Sequence, residues 1–282
     1  MTPSMSMHGS NDTRMVVAKA ASVVHGFCKR RPSVGIILGT GLGKLAGRVK
    51  KKTVIPYEEI PHFPQTTVAS HAGELVIGNV AGRTVAMLSG RFHYYEGYSM
   101  KDVTLPVRVL KALGAKTLII SGAVGGMDPQ YRRGDLVVVE DHINLMGDNP
   151  LIGPNDERLG PRYPDMCAPY DRELVDVTLQ EALKAGVRCH AGVYVGVAGP
   201  NLETRAEYRF LRTIGADVVG MSVVPETIVA VHAGMRVLGL TVVTDLCLPD
   251  ALKPANIEEI VKAANAAEPA MSALVEKVIR KA

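Results

Sequence analysis

The residues able to do chemistry sit in a few short stretches. SGRFHYYEGY (89–98) is the densest. Arg91 offers a planar fork of donors suited to phosphate. His93 adds a donor, and Tyr94, Tyr95 and Glu96 can address sugar hydroxyls. Aromatic residues make up only 5% of the chain, so their clustering here argues against an ordinary exposed loop. GTGLGK (39–44) matches neither familiar phosphate loop. A Walker A loop needs one more residue before its GK and a Ser or Thr after it, where Leu45 stands; a dinucleotide fingerprint needs a glycine where Lys44 stands. It reads either as a tight turn or as a nest in which the Thr40 hydroxyl and neighbouring amides hold an anion. SGAVGG (121–126) is open to the same pair of readings, its small side chains letting amides approach an anion. In GMSVVPE (220–226), Ser222 precedes a helix beginning near Pro225, either as a plain cap or where amides and helix dipole favour anions.

Two acids complete the set. Glu203, in AGPNLETRAEYR (198–209), sits where a helix starts and either serves the helix terminus or accepts from a ring N–H of a flat heterocycle. Asp245, in TVVTDLCLPD (241–250), follows a run that reads as a buried strand. It is a turn residue, a binder or a reagent. No GxSxG elbow, HExxH pair or catalytic-cysteine context is present, which disfavours acyl transfer and zinc hydrolysis.

The elements that must position these residues follow from periodicity. Apolar runs at 33–38, 115–126, 135–145, 192–199, 217–221 and 236–244 read as strands. Residues 14–29, 101–113, 171–185, 203–214, 225–234 and 256–281 have helical spacing. ELVIGNVAGRTVAMLSGR (74–91) alternates like a hairpin broken at Gly82, and 147–164 reads as a long loop. Strands alternating with helices predict an α/β fold: a mixed, mostly parallel twisted sheet flanked by helices. Ligands bind beyond the carboxyl ends of strands in such sheets. Thr40, Gly122 to Gly126, Met221–Ser222 and Thr244–Asp245 all fall on such ends, which predicts one shared pocket.

The chain has 282 residues, 47% apolar and 21% charged, with a net charge of +4. This suits a soluble globular protein with a sizeable core. No basic stripe with interleaved aromatics suggests nucleic acid. The four cysteines form no CxxC pair, which favours a reducing compartment. The polar N-terminus lacks a signal core, and no apolar run reaches bilayer length. The expectation is a cytoplasmic protein with a loose segment over 1–12 and a single domain over 13–282.

ILGTGLG, SHAGELVIG, GRFHYYEGY, TLPVRVLKALGA, DHINL, NPLIGPNDERLGPRYPDM, VAGPNLETRAEYRFLRTIGADVVGMSVVPE and KPANIEEI, in this order, resemble the trimeric purine nucleoside phosphorylase family, which includes the methylthioadenosine phosphorylases. The likeness covers nearly the whole chain from about residue 33. It implies phosphorolysis of purine nucleosides in purine salvage, with inorganic phosphate as co-substrate and neither metal nor organic cofactor. It implies a phosphate site of Thr40, His71, Arg91, His93, Ala123 and Ser222, with Tyr95, Met221 and Ile257 at the ribose. Leu202, Glu203, Thr244 and Asp245 would meet the base, with Asp245, His93 and Glu203 as the catalytic groups. Tyr163 would reach a neighbouring subunit's site, implying a homotrimer.

The family pattern is not matched throughout. Asp245 stands where 6-oxopurine enzymes carry Asn, Ile257 where a His usually meets the 5′-hydroxyl, Leu202 where a Phe often stacks, and Gly122 where an Asn is found. Asp245 and Ile257 suit adenine-type or 5′-methylthio substrates, whereas Glu203 keeps the 6-oxopurine signature. The leading expectation is therefore a purine nucleoside phosphorylase whose range includes 6-aminopurine nucleosides. The alternative is a methylthioadenosine phosphorylase. A non-catalytic nucleotide-binding module would use the same phosphate-holding residues without turnover.

Overall fold

A computed structural model describes residues 10–39, 43–65 and 72–282. Helix α1 (Ser10–Phe27) starts inside the segment expected to be loose, while residues 1–9 lie outside the described residues. The elements that follow are β1 (Val34–Leu38), β2 (Lys50–Pro56), β3 (Glu74–Val80), β4 (Arg83–Ser89), α2 (Met100–Leu113), β5 (Thr117–Gly126), β6 (Leu136–Leu145) and α3 (Arg172–Lys184). Then come β7 (Cys189–Val197), α4 (Arg205–Thr213), β8 (Val218–Gly220), α5 (Val224–His232), β9 (Arg236–Leu246) and α6 (Ile257–Lys281). β1 is buried at every position, as a strand covered on both faces must be.

Among the described residues the strands form one nine-stranded mixed sheet in the order β2-β3-β4-β1-β5-β8-β7-β6-β9, and a further β5–β9 pairing closes its second half on itself. β1 runs parallel to β4 and β5, β5 parallel to β9, and β6 parallel to β7; β3 is antiparallel to β4 and β6 to β9. The hairpin predicted over 74–91 is present. Its turn residues Ala81 and Gly82 have φ of 51° and 86°, the positive values that let a two-residue turn follow strand twist.

Two features of the strands bear on the site. SGAVGG, which taken alone read as a turn or an anion-holding backbone, is the second half of β5, paired with β9 as far as Gly126. Its glycines allow close strand approach instead: a Cβ at Gly125 would lie 2.6 Å from Cys247 Sγ, and one at Gly126 2.8 Å from Val243 Cγ1. β9 also runs past 244, to Leu246. The register shifts so that Val243 faces Val124 but Asp245 faces Gly125, leaving Thr244 as the extra residue of a bulge, a device that re-aims side chains next to functional sites. Asp245 is thus a strand residue rather than a turn residue.

Candidate active site

One end of the cleft is built to hold an anion. Arg91 follows β4 and is 4% exposed. Its Nη1 donates to Ser222 Oγ at 2.7 Å, while its Nε lies 3.4 Å from the buried Glu226 carboxylate. A buried acid in the first turn of α5 needs such a cation, because lone buried charge is costly. Ser222 is held in turn by its amide, which donates to the Tyr194 hydroxyl at 3.2 Å. The chain then bends sharply: Val224 N donates to Ser222 O at 2.7 Å across Val223, whose φ is 68°. This γ-turn places a β-branched residue in the left-handed region, at a cost on the order of 1–3 kcal/mol. Full burial of Val223 holds it there.

His93 is oriented by Glu96, which accepts from both the His93 amide at 2.8 Å and Nδ1 at 2.9 Å. The Tyr95 ring stacks on the imidazole, centroids 4.7 Å apart. A Cβ at Gly122 would come 3.3 Å from Arg91 Nη1 and 3.6 Å from Ser222 Oγ, so the absence of a side chain keeps this cradle open. Ser121 joins β1 to β5, accepting from Gly39 N at 3.0 Å and donating to Ile37 O at 3.1 Å.

The other end carries acids. Asp245 accepts from the Thr244 hydroxyl through Oδ1 at 2.9 Å and from the Cys247 thiol through Oδ2 at 3.1 Å. Thr244 Oγ1 also lies 3.3 Å from Val124 O, so its single proton has two acceptors in reach. Glu203 does not cap α4. That task falls to Thr204 and Glu207, whose side chains each bond the other's amide, at 3.2 and 2.6 Å. Glu203 turns instead into the cleft, half-buried beside Tyr208. Burial pushes its carboxyl above the usual range; the Tyr208 contact opposes this and the Asp245 charge adds to it.

These residues share one cavity of about 260 Å³. Arg91, His93, Tyr95, Ala123, Leu202, Glu203, Met221, Ser222, Thr244, Asp245 and Ile257 all line it, joined by Gly122, Tyr208 and Ile260. It adjoins a wider space of about 650 Å³ that shares Glu203, Tyr208 and Asp245 and is bordered by Arg133 and Glu259. Thr40 and His71 lie outside the described residues. Tyr163 is not in this cavity; it stands 86% exposed on the 146–171 segment, with Arg162 over its ring at 5.7 Å. Among the described residues no group of three or more His, Cys, Asp or Glu is arranged to hold a metal ion, and no helix is long and apolar enough to cross a membrane. Sequence reasoning passed over Tyr208, Cys247, Tyr194 and Glu226. Only Glu226 left a signal, as the one acid within the largely apolar VPETIVAVH.

The chain is also similar to known proteins. Residues 33–280 match the family model described as Phosphorylase superfamily. The chain is 45% identical over 263 residues to purine nucleoside phosphorylase 1 of Bacillus subtilis (strain 168), covering 93% of this chain and 97% of that protein. A crystal structure of a Schistosoma purine nucleoside phosphorylase in complex with hypoxanthine superposes with a TM-score of 0.90 at 44% identity, covering 94% of this chain and 96% of that one. A Schistosoma mansoni purine nucleoside phosphorylase in complex with adenosine gives 0.89 at 43%, with the same coverage.

Proposed function

The chain belongs to the phosphorylase superfamily, and from that premise we propose that it splits purine nucleosides with inorganic phosphate into free base and pentose 1-phosphate. It is a pentosyltransferase of the purine nucleoside phosphorylase type. The observation that carries this reading is the single cavity with a guanidinium–hydroxyl–imidazole cradle at one end and two carboxyls at the other. The names of the relatives do not favour the methylthioadenosine alternative.

The chemistry follows from the arrangement. Cleaving an N-glycosidic bond with phosphate passes through an oxocarbenium-like state. Arg91, His93, Ser222 and the Ala123 amide, with Thr40 and His71, would hold phosphate below C1′; such preorganised donors are worth several kcal/mol. Tyr95, Met221 and Ile257 would bound the ribose, and Leu202 and Thr244 the base. Glu203 would meet the Watson–Crick edge. Asp245 would lie at N7, where a donor relieves charge on the leaving purine, typically ~10²–10⁴-fold for a general acid. In this reading the reaction uses no metal or organic cofactor, and the enzyme is a cytoplasmic homotrimer serving purine salvage. The exposed Tyr163 suits a residue that completes a neighbour's site.

Inosine incubated with and without phosphate is the direct test. Phosphate-dependent release of hypoxanthine with ribose 1-phosphate is expected, and cleavage no faster with phosphate than without it overturns the proposal. Light scattering should give three times the 30.1 kDa chain mass.

A further inference from the structure

The cavity that gathers every described residue assigned to phosphate, ribose and base does not end at the base. A second space of about 650 Å³ opens beyond it, and Leu202, Glu203, Tyr208, Asp245 and Ile260 line both. Cleavage of inosine or adenosine leaves this space unused. Its place relative to the purine follows from the two carboxyls. Glu203 meets the Watson–Crick edge at N1 and Asp245 meets N7, and C6 is the ring carbon between those positions. An atom carried on C6 therefore lies between the carboxyls, and a group borne by it heads for the space that both border.

The wall of that space is built by the 247–256 segment between β9 and α6, which is tied down along its length. Cys247 N donates to Gly126 O at 2.7 Å at its start. Arg205 of α4 holds its middle, Nη1 donating to Pro249 O at 3.3 Å and Nη2 to Leu252 O at 3.2 Å. Arg209 Nη2 adds a bond of 2.6 Å to Asp250 Oδ1. Asn256 ends the segment as the cap of α6, accepting from the amides of Glu258 and Glu259 at 2.9 and 3.2 Å. Arg133 and Glu259, which also border the space, pair with each other at 2.7 Å. Three polar wall residues are thus already engaged. The aliphatic part of the wall is Leu246, Leu248, Leu252 and Ile260; Leu246 is exposed and the other three are half-buried.

We propose that this space is a subsite for an apolar arm on the exocyclic nitrogen at C6, so that the enzyme takes 6-alkylamino and 6-aralkylamino purine nucleosides as substrates. The proposal rests on the phosphorylase reading and on the base orientation given with it. The reaction stays the same. The C1′–N9 bond breaks, a phosphate oxygen bonds C1′, and the proton of hydrogen phosphate passes to the departing purine. Substitution removes one of the two amino protons and keeps the other, so the retained N–H faces one carboxyl while the arm leaves past its neighbour. The aliphatic wall then rewards the arm in proportion to the apolar area it takes from water. The exposed run from Lys253 to Asn256 leaves the far end of a longer arm in solvent.

The probes are adenosine and N6-benzyladenosine at saturating phosphate, with inosine as the reference for turnover. Release of N6-benzyladenine with ribose 1-phosphate is expected, at a KM on the order of tenfold below that for adenosine, from partial burial of the added ring. Leu248→Trp and Ala251→Trp each put bulk into the space without replacing a residue assigned to the reaction. Each should raise the KM for N6-benzyladenosine by roughly tenfold through overpacking and leave adenosine and inosine close to wild type. Ala251 is exposed, so its variant keeps the test if Leu248→Trp folds poorly. No release of N6-benzyladenine, a KM no lower than that for adenosine, or Trp variants that weaken both adenosine nucleosides equally would overturn the subsite. Faster cleavage of N6-carboxymethyladenosine than of N6-benzyladenosine overturns it too, in favour of an acidic arm met by Lys253, which borders the same space. In each of these cases phosphate-dependent cleavage of inosine leaves the phosphorylase reading standing, whereas its absence defeats that reading itself.

Discussion

The guanidinium of Arg91 and the carboxylate of Glu226 meet 3.4 Å apart, each side chain only 3% exposed. The acid holds the Nε edge while Nη1 reaches Ser222 Oγ at 2.7 Å, so the fork is aimed before any anion arrives. Glu226→Gln should raise KM for phosphate several-fold with a smaller change in kcat, because the lost contact acts in binding and transition state alike. Glu226→Ala should also destabilise the fold by about 3–5 kcal/mol, the usual result of removing one partner of a buried pair. Kinetics with phosphate varied and urea unfolding check the two parts. An unchanged phosphate KM in Glu226→Gln would remove the positioning role.

Glu226 also shows where sequence reading stops. The α/β order, the hairpin over 74–91 and the convergence of strand ends on one cavity were all legible, because buried strands and helical faces leave periodic traces. Strand β2 left none: KKKTVIP is an edge strand, exposed along most of its length, and lysines that guard such edges hide the pattern. SGAVGG looked like a turn because glycine marks turns and tight strand contacts alike. The residues that support the site were invisible for a different reason. Tyr208 and Cys247 come together in one buried cluster only once the chain has folded, and no local spacing encodes that.

Glu268 of α6 should tether the glycine-rich segment to the body of the protein. It is 4% exposed and accepts from Lys44 N at 2.9 Å. The Lys44 ammonium lies 3.4 Å from its second oxygen but on a side chain 79% exposed, so the ion pair contributes little and the amide bond is the tether. Glu268→Ala should therefore raise KM for phosphate and lower stability by about 1–3 kcal/mol. Glu268→Gln, whose amide oxygen still accepts, should stay close to wild type in both measurements. Equal losses in the two variants would assign the effect to charge.

His232 should make stability depend on acid. It is 3% exposed, with Nδ1 3.4 Å from Arg108 Nη1 and Nε2 3.3 Å from Asn155 Oδ1. A neutral ring accepts from Arg108 and donates to Asn155, whereas a proton on Nδ1 would face the guanidinium. Burial, then Arg108, lowers its pKa from 6.5 to about 4, with Glu157 opposing. The unfolded chain therefore binds this proton first as pH falls. The contribution is complete above about pH 6.5 and disappears progressively down to about pH 4, amounting to at most about 3 kcal/mol. Urea unfolding of wild type and His232→Gln across that range should show the difference shrinking toward acid. A difference independent of pH would assign His232 a packing role only.

The bulge that turns Asp245 toward the cavity makes it the residue through which purine choice is most simply tested. Asp245→Asn fits the same space, still accepts from Thr244 through its amide oxygen, and always presents an N–H donor. It offers only a fixed donor where a carboxylate would receive the adenine amino group. Inosine then retains its complementary set, with a donor at N7 and Glu203 receiving N1–H, while adenosine loses the acceptor for its amino group. The ratio of kcat/KM for inosine to that for adenosine should rise by roughly 10–100-fold, the cost of about one to two buried polar mismatches. Glu203→Gln supplies the control. Its amide can donate to a bare N1 as well as accept from N1–H, so it should compress the difference between the two substrates rather than extend it. If Asp245→Asn leaves the ratio at its wild-type value, Asp245 does not choose the purine, and the selectivity must arise at Glu203 alone.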